Sequence, residues 1–221
     1  MEHEKALHGF VDIAKILQES QVGNCVLHKY TVTEREAKQF NWMCLIHGKS
    51  YDVISPGEYI RLMVGDDVMM ADTPMERLTS RCVLYGAKGN VFIAGLGLGM
   101  IPETLHERMN EEADGSVINS VTVVENNTNV IELVWPQLSC SNDSRFSLVV
   151  ADARTYIPHR SKRFDYAFLD IWPDICGDNY EEMKQMKRHY RKYMVKKGLI
   201  DVWRMDDTQE LVKRERKFYG G

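Results

Sequence analysis

The chain has 221 residues, 44% of them hydrophobic and 27% charged, with a formal net charge of -4 and a pI near 6.0. That size suits one α/β domain with a small appendage, and the acidic balance argues against nucleic acid as a partner, because a phosphate-tracking surface would have to be local. No segment approaches eighteen consecutive apolar residues and Met1-Glu2-His3-Glu4-Lys5 has no apolar signal core, so neither a membrane partner nor export is expected.

Leu7, Phe10, Ile13, Ala14 and Leu17 recur at helical spacing, which predicts a short amphipathic helix over residues 1 to about 20. Between residues 25 and 70 the β-type runs Val26–Val32, Trp42–Ile46, Tyr51–Ile54, Tyr59–Val64 and Val68–Met70 are broken by Gly48-Lys49, Pro56-Gly57 and Gly65-Asp66-Asp67. This predicts hairpins and a small N-terminal β-rich module. Thr73–Tyr85 predicts a helix, with Asp72 or Thr73 as its cap and Pro74 at its first position.

From residue 90 the rhythm changes. Val91–Ala94, Val121–Val124, Phe146–Val150, Tyr166–Leu169 and Leu199–Val202 read as strands. Ile101–Asn110, Asn129–Trp135 and Tyr180–Val195 read as helices, the second ended by Pro136 and the last closed by Lys196-Lys197-Gly198 as a basic turn and glycine C-cap. Asp178 or Asn179 would cap that last helix. Its Met183, Met186, Tyr190 and Tyr193 or Met194 form one apolar stripe, which leaves the basic residues, Lys184, Lys187 and Arg188 among them, mostly on the other, solvated face. Short apolar strands alternating with helices predict an α/β fold with a mostly parallel sheet. The expected division is residues 1–72 as a helix and β-hairpin module and 73–221 as a Rossmann-like binding domain.

The most informative run is Asn90-Val91-Phe92-Ile93-Ala94-Gly95-Leu96-Gly97-Leu98-Gly99-Met100, a buried strand opening into a three-glycine turn. Gly95 would permit a tight turn, Gly97 would remove a Cβ that collides with a ligand, and Gly99 would let the next helix pack close to the sheet. A strand–helix turn that merely needs small residues would use the same glycines. Glu125 adds to the pattern, because a carboxylate just past the second strand can accept both ribose hydroxyls. A dinucleotide fingerprint wants GxGxxG, whereas here the third glycine comes one residue early. The shortened turn fits a ligand without a diphosphate, one that lays an amino-acid tail over the turn, such as S-adenosylmethionine.

With these motifs the chain resembles the class I S-adenosylmethionine-dependent methyltransferases and, within them, the spermidine-synthase group. The resemblance runs from about Gly57 to Arg204, roughly two thirds of the chain. It implies a Rossmann-like methyltransferase fold with S-adenosylmethionine held by Gly95, Gly97, Gly99, Glu125, Asp152, Ala153 and Asp170. Asp152-Ala153 sits where the group holds the adenine amino group, and Phe164–Asp170 where it has its fourth strand and catalytic aspartate. The departures are as telling. Aminopropyl transferases continue that strand as Asp-Ser-Ser-Asp-Pro, but this chain reads Asp170-Ile171-Trp172-Pro173-Asp174. Of their lead-in motif Asp-Glu-x-x-Tyr-His-Glu only Glu76 is kept. A polycationic amine needs a string of carboxylates, and part of that string is gone.

The expected activity is therefore methyl transfer to a small acceptor, a displacement that chiefly needs the nucleophile held in line. Asp170 and Asp174 are the candidate catalytic carboxylates, able to orient or deprotonate an amine or hydroxyl. Glu76, Trp172 and Asn179 are candidates for the acceptor pocket. Asp170 could equally cap its strand, and Trp172 could be packing. Aminopropyl transfer and non-catalytic S-adenosylmethionine binding are the alternatives. The five cysteines make no CxxC or zinc spacing, which predicts reduced thiols and a cytoplasmic protein. The histidines form no ligand-spaced cluster, so no metal is expected. Only the charged Thr208–Gly221 follows the fifth strand, which predicts a final helix in place of the usual antiparallel hairpin. The sheet edge left there would be covered by the tail or by a second copy in a homodimer.

Overall fold

A computed structural model of the chain describes residues 7–48, 53–111 and 117–219. Its first helix, α1 (Ile13–Ile16), is one turn long and not the amphipathic helix predicted to about residue 20. Asp12 makes no side-chain cap and Leu17 is already extended, so nothing sustains a helix that short of nucleating partners. Phe10, Ile13, Ala14 and Leu17 are buried all the same. Residues 1–6 of that expected helix lie outside the described residues.

Strand β1 (Ser20–Val22) then forms a hairpin with β2 (Cys25–Val32). The run Trp42–Ile46, read above as β-type, is the end of helix α2 (Glu34–Ile46). The cause is a capping box: Glu36 N–H donates to Thr33 Oγ1 at 3.3 Å, and Thr33 N–H donates to Glu36 Oε2 at 2.8 Å. The apolar residues that suggested a strand, Trp42, Leu45 and Ile46, stay exposed on that helix. Val53 and Ile54 form no strand, and Tyr51 and Asp52 lie outside the described residues. Next come β3 (Gly57–Val64) and β4 (Asp67–Ala71), as expected.

The helix predicted over Thr73–Tyr85 is two, α3 (Pro74–Thr79) and α4 (Cys82–Gly86). Pro74 does open α3 at the first turn, but Thr73 makes no side-chain cap bond. The chain continues through β5 (Gly89–Ala94), α5 (Met100–Glu111), β6 (Ile118–Glu125) and α6 (Thr128–Val134). A 3-10 turn, Trp135–Gln137, carries Pro136. The remaining elements are β7 (Phe146–Val150), β8 (Phe164–Leu169), α7 (Asn179–Arg191), β9 (Met194–Val202) and α8 (Met205–Tyr219).

Helix α7 stops earlier than predicted, and Lys196-Lys197-Gly198 belongs to β9, not to a helix cap. Met194 is already the strand partner of Phe164. A Cβ on Gly198 would stand 3.0 Å from Phe164 O and 3.2 Å from Asp165 O, so glycine serves here the close approach of β8, where the register shifts.

Two compact units emerge. The first holds the described chain up to Tyr85, the stretch from Leu96 through α5, and Asn127–Phe146. Its four-stranded antiparallel sheet has the order β1-β2-β3-β4. Asn127 caps α6 by accepting from Asn129 N–H at 3.0 Å and Val130 N–H at 3.3 Å. Asn129 also reaches Asn24 Oδ1 in the β1–β2 turn at 3.3 Å, which ties that helix start to the hairpin. One ion pair, Arg77 Nη2 to Asp72 Oδ2 at 3.0 Å, is wholly buried on both sides. The second oxygen of Asp72 accepts the Ile60 N–H at 2.8 Å, so this carboxylate welds α3 to β3.

The second unit holds Gly86–Gly95, residues 117–126 and the chain from Ser147 onward. Its five-stranded sheet has the order β7-β6-β5-β8-β9, with β5 parallel to β6 and to β8, and β8 parallel to β9. Phe92, Ala94, Ala167 and Leu169 on one face share a buried cluster with Met183, Met186 and Tyr190 of α7. Phe92 lies 4.5 Å from Tyr190 and 5.1 Å from Phe164, ring centroid to centroid. Each such pair contributes about 0.5–1.5 kcal/mol beyond area burial. The alternate residues Val91, Ile93, Val121, Val123 and Phe168 are buried as well, which is why these strands read as unbroken apolar runs. Helix α8 follows β9, and no antiparallel hairpin is added among the described residues. The described residues form a Rossmann-like methyltransferase fold, with no C-terminal hairpin among them, and a smaller antiparallel N-terminal sheet.

Candidate functional site

In an open parallel sheet the strand order reverses at one crevice, and ligands settle beyond the carboxyl ends of the strands there. The order seen here sets that point at β5, between β6 and β8. Main-chain bonds run on to the ends of these strands. Gly95 N–H donates to Val124 O at 2.8 Å, Asp170 N–H to Ala94 O at 2.9 Å, and Ala151 N–H to Glu125 O at 3.0 Å. Gly95, Glu125, Asp152 and Asp170 therefore leave the same edge of one sheet, within one unit.

Gly95 is held at φ +97°, and a Cβ there would stand 2.0 Å from Asp170 O. No L side chain fits that approach of two backbones. Beyond Leu96 the chain belongs to the other unit, where Gly97 has φ +52°. A Cβ on Gly97 would meet not open ligand space but the Met70 thioether, at 2.6 Å, and Leu98 N–H points at the same Sδ at 3.4 Å. Gly99 has φ +70°. The atoms nearest its missing Cβ are in Leu138 (2.4 Å) and Val134 (3.2 Å), so its bareness admits α6 and the turn after it.

Glu125 ends β6 half-buried, with Oε1 accepting Asn126 N–H at 2.9 Å. Asp152 opens the turn after β7: its carbonyl accepts from Thr155 and Tyr156, and its Oδ1 accepts Arg154 N–H at 2.8 Å. Ala153 is buried and its carbonyl accepts Tyr190 Oη at 2.6 Å, which ties this turn to α7. Burial pushes the Tyr190 hydroxyl well above its ordinary pKa, so it remains a donor.

Asp170 is half-buried at the end of β8. Trp172 is 4% exposed and belongs to the buried cluster that includes Met183 and Met186, so it is chiefly a packing residue. Its indole N–H donates to Glu182 Oε2 at 2.6 Å. Asp174 is exposed, and Asn179 folds its side chain back onto the Asp174 carbonyl at 3.2 Å. Asp178 stands at the N-cap of α7 without a side-chain cap bond. Glu76 lies in the first turn of α3, in the other unit.

Two residues absent from the sequence-derived set join this edge. Arg154 Nε donates to Glu182 Oε1 at 2.8 Å and its Nη1 stands 3.6 Å from Asp152 Oδ1. The Arg154 hydrogen bond, aided by that of Trp172, holds the Glu182 carboxyl below the usual glutamate range. In sequence Glu182 reads only as a first-turn acid of a helix. Arg154 carries no motif signal beyond standing two residues after Asp152.

No family model matches this chain, and no curated protein matches it. Among solved structures it is similar to the CcbJ methyltransferase from Streptomyces caelestis, with 16% identity over 57% of this chain and 46% of that one, at a TM-score of 0.42. It is also similar to precorrin 8W decarboxylase from Methanobacterium thermoautotrophicum, with 17% identity over 65% and 70% of the two chains and a TM-score of 0.43. A dimethyladenosine transferase from Plasmodium falciparum matches with 14% identity over 43% and 31%, at a TM-score of 0.33. The match spans less than half the length of the Streptomyces chain. No helix among the described residues is long and apolar enough to cross a membrane.

Proposed function

We propose that this chain is an S-adenosylmethionine-dependent methyltransferase acting on a small acceptor. The observation that carries the reading is the shared sheet edge, where Gly95, Glu125, Asp152 and Asp170 follow β5, β6, β7 and β8. The donor set suits such a cofactor. Glu125 is a half-buried carboxylate for ribose hydroxyls, Asp152 is one for an adenine amino group, and the bare Gly95 backbone admits close approach. When bound, the cofactor supplies an electrophilic methyl group on a sulfonium. Asp170 then orients an amine or hydroxyl and takes its proton. Buried Trp172 keeps the β8–α7 loop in place, and Asp174 and Asn179 lie on its outer stretch.

Kinship to the spermidine-synthase group rests on the order of these motifs. A second reading, binding without catalysis, is favoured by one observation: Trp172 is packed inward and Asn179 is turned onto its own loop, so neither side chain is presented to an acceptor. A cytoplasmic location, supported by free cysteines, and a homodimer covering the β9 edge belong to the same proposal.

Calorimetric titration with S-adenosylmethionine and with its decarboxylated form is the test. Micromolar binding of the first and weak binding of the second is expected, and binding of neither overturns the reading. With an acceptor in hand, Asp170→Asn is expected to abolish transfer while cofactor affinity is kept. Unchanged turnover would remove Asp170 from the chemistry.

A further inference from the structure

Two carboxylates contend for one guanidinium, Asp152 in the turn after β7 and Glu182 in the first turn of α7. Arg154 is anchored to Asp152 through its main-chain N–H at 2.8 Å. Its guanidinium is shared between the two carboxylates: Nε donates to Glu182 Oε1 at 2.8 Å, while Nη1 makes a longer ion pair with Asp152 Oδ1 at 3.6 Å. Glu182 is fixed from behind by the buried indole of Trp172, whose N–H donates to Oε2 at 2.6 Å. Asp152 Oδ2 has no hydrogen-bond donor among the described residues, and the side chain is 41% exposed.

From this geometry we infer that Glu182 is a positioning residue: by holding the Arg154 guanidinium it keeps the outer oxygen of Asp152 open to accept an amino group of a bound nucleoside. The inference rests on the nucleoside reading of the preceding subsection. An arginine fork matches a carboxylate in two parallel hydrogen bonds. Without the Glu182 charge, the carboxylate within reach of Arg154 is Asp152. A closed Arg154–Asp152 fork would leave an arriving amino group without its acceptor. Glu182 touches no ligand in this scheme. It acts through Arg154.

The experiment measures binding of S-adenosylhomocysteine and of S-inosylhomocysteine, which carries a carbonyl where the adenine amino group was. Wild-type chain is expected to prefer the adenosyl compound. Glu182→Gln is expected to weaken adenosyl binding about tenfold, the scale of a charge-assisted hydrogen bond, and to erase the preference. Adding Arg154→Ala to Glu182→Gln is expected to restore both, because the competing guanidinium is gone. A merely structural Glu182 would show no such rescue and no change in preference, and that result overturns the inference. Equal wild-type binding of the two compounds also overturns it while leaving the cofactor reading intact. Binding of neither overturns both. Should Glu182→Gln fail to fold, Glu182→Asp, whose shorter carboxylate loosens its hold on Arg154, takes its place: a weakened adenosyl preference that Arg154→Ala restores supports the inference, and an unchanged preference overturns it.

Discussion

Two arginine–carboxylate clusters, one in each unit, show how burial separates an ion pair cut off from water from one that water still reaches. Asp72 and Arg77 are wholly buried, and both oxygens of Asp72 are engaged, one by Arg77 and one by Ile60 N–H. Such a pair has lost its water, so each partner depends on the other. Asp152, Arg154 and Glu182 keep 36–41% of their side chains exposed. Water screens that cluster, its pairwise energies are small, and its geometry can be rearranged at little cost. The same residue types thus serve rigidity in one unit and readiness in the other.

The comparison is sharpened most strongly by breaking the buried pair. Asp72→Asn removes the buried carboxylate that hydrogen-bonds Arg77, and a loss of about 3–5 kcal/mol is expected, measured by urea unfolding. A loss below about 1 kcal/mol would mean that water reaches this pair as it does an exposed one. Gly97→Ala comes next. It forces a side chain into the left-handed region and against the flexible Met70 thioether, for an expected cost of about 1–3 kcal/mol. Met70→Ala in the same chain should recover the part owed to the clash and not the part owed to the backbone.

Glu182→Gln is expected to change unfolding free energy by less than about 1 kcal/mol, in contrast to its effect on nucleoside affinity. The smallest effect is one of pH. Hydrogen bonds from Arg145 hold the Asp143 carboxyl down to about 2, from an ordinary value of 3.8. A depressed folded-state pKa adds stability that is fully present above pH 3.8 and is lost as pH falls toward 2. Unfolding midpoints followed between pH 5 and pH 2 should therefore fall less steeply in Asp143→Asn than in the wild type.

The parallel sheet was legible because strands buried on both faces are continuous apolar runs, and each is followed by a residue whose type announces a turn or a carboxylate. Glu125, Asp152 and Asp170 could be read in this way, since strand ends are local features. The N-terminal module was less legible. Trp42–Ile46 carries β-type residues, yet the capping box at Thr33 and Glu36 starts a helix that runs through them. That Thr-x-x-Glu signal was present in the sequence, and the outward apolar face of α2 masked it. Lys196-Lys197-Gly198 misled for the opposite reason. It has every local mark of a helix end, and pairing of Met194 with Phe164 overrode it.

By itself the sequence determined the order of strands and helices in the second unit, the Gly95 turn and the residues at the strand ends, because hydrophobic period and turn chemistry act over a few neighbours. Only the tertiary structure decided which carboxylate Arg154 would hold, that Trp172 packs inward, and that Met70 rather than open space stands against Gly97. Those outcomes join residues distant in the chain, as Arg154 meets Glu182 across 28 positions and Met70 meets Leu98 across another 28. Nothing in local propensity encodes such a choice. It is made by which side chains the packed backbone leaves within reach of one another, and by which charge is left in water.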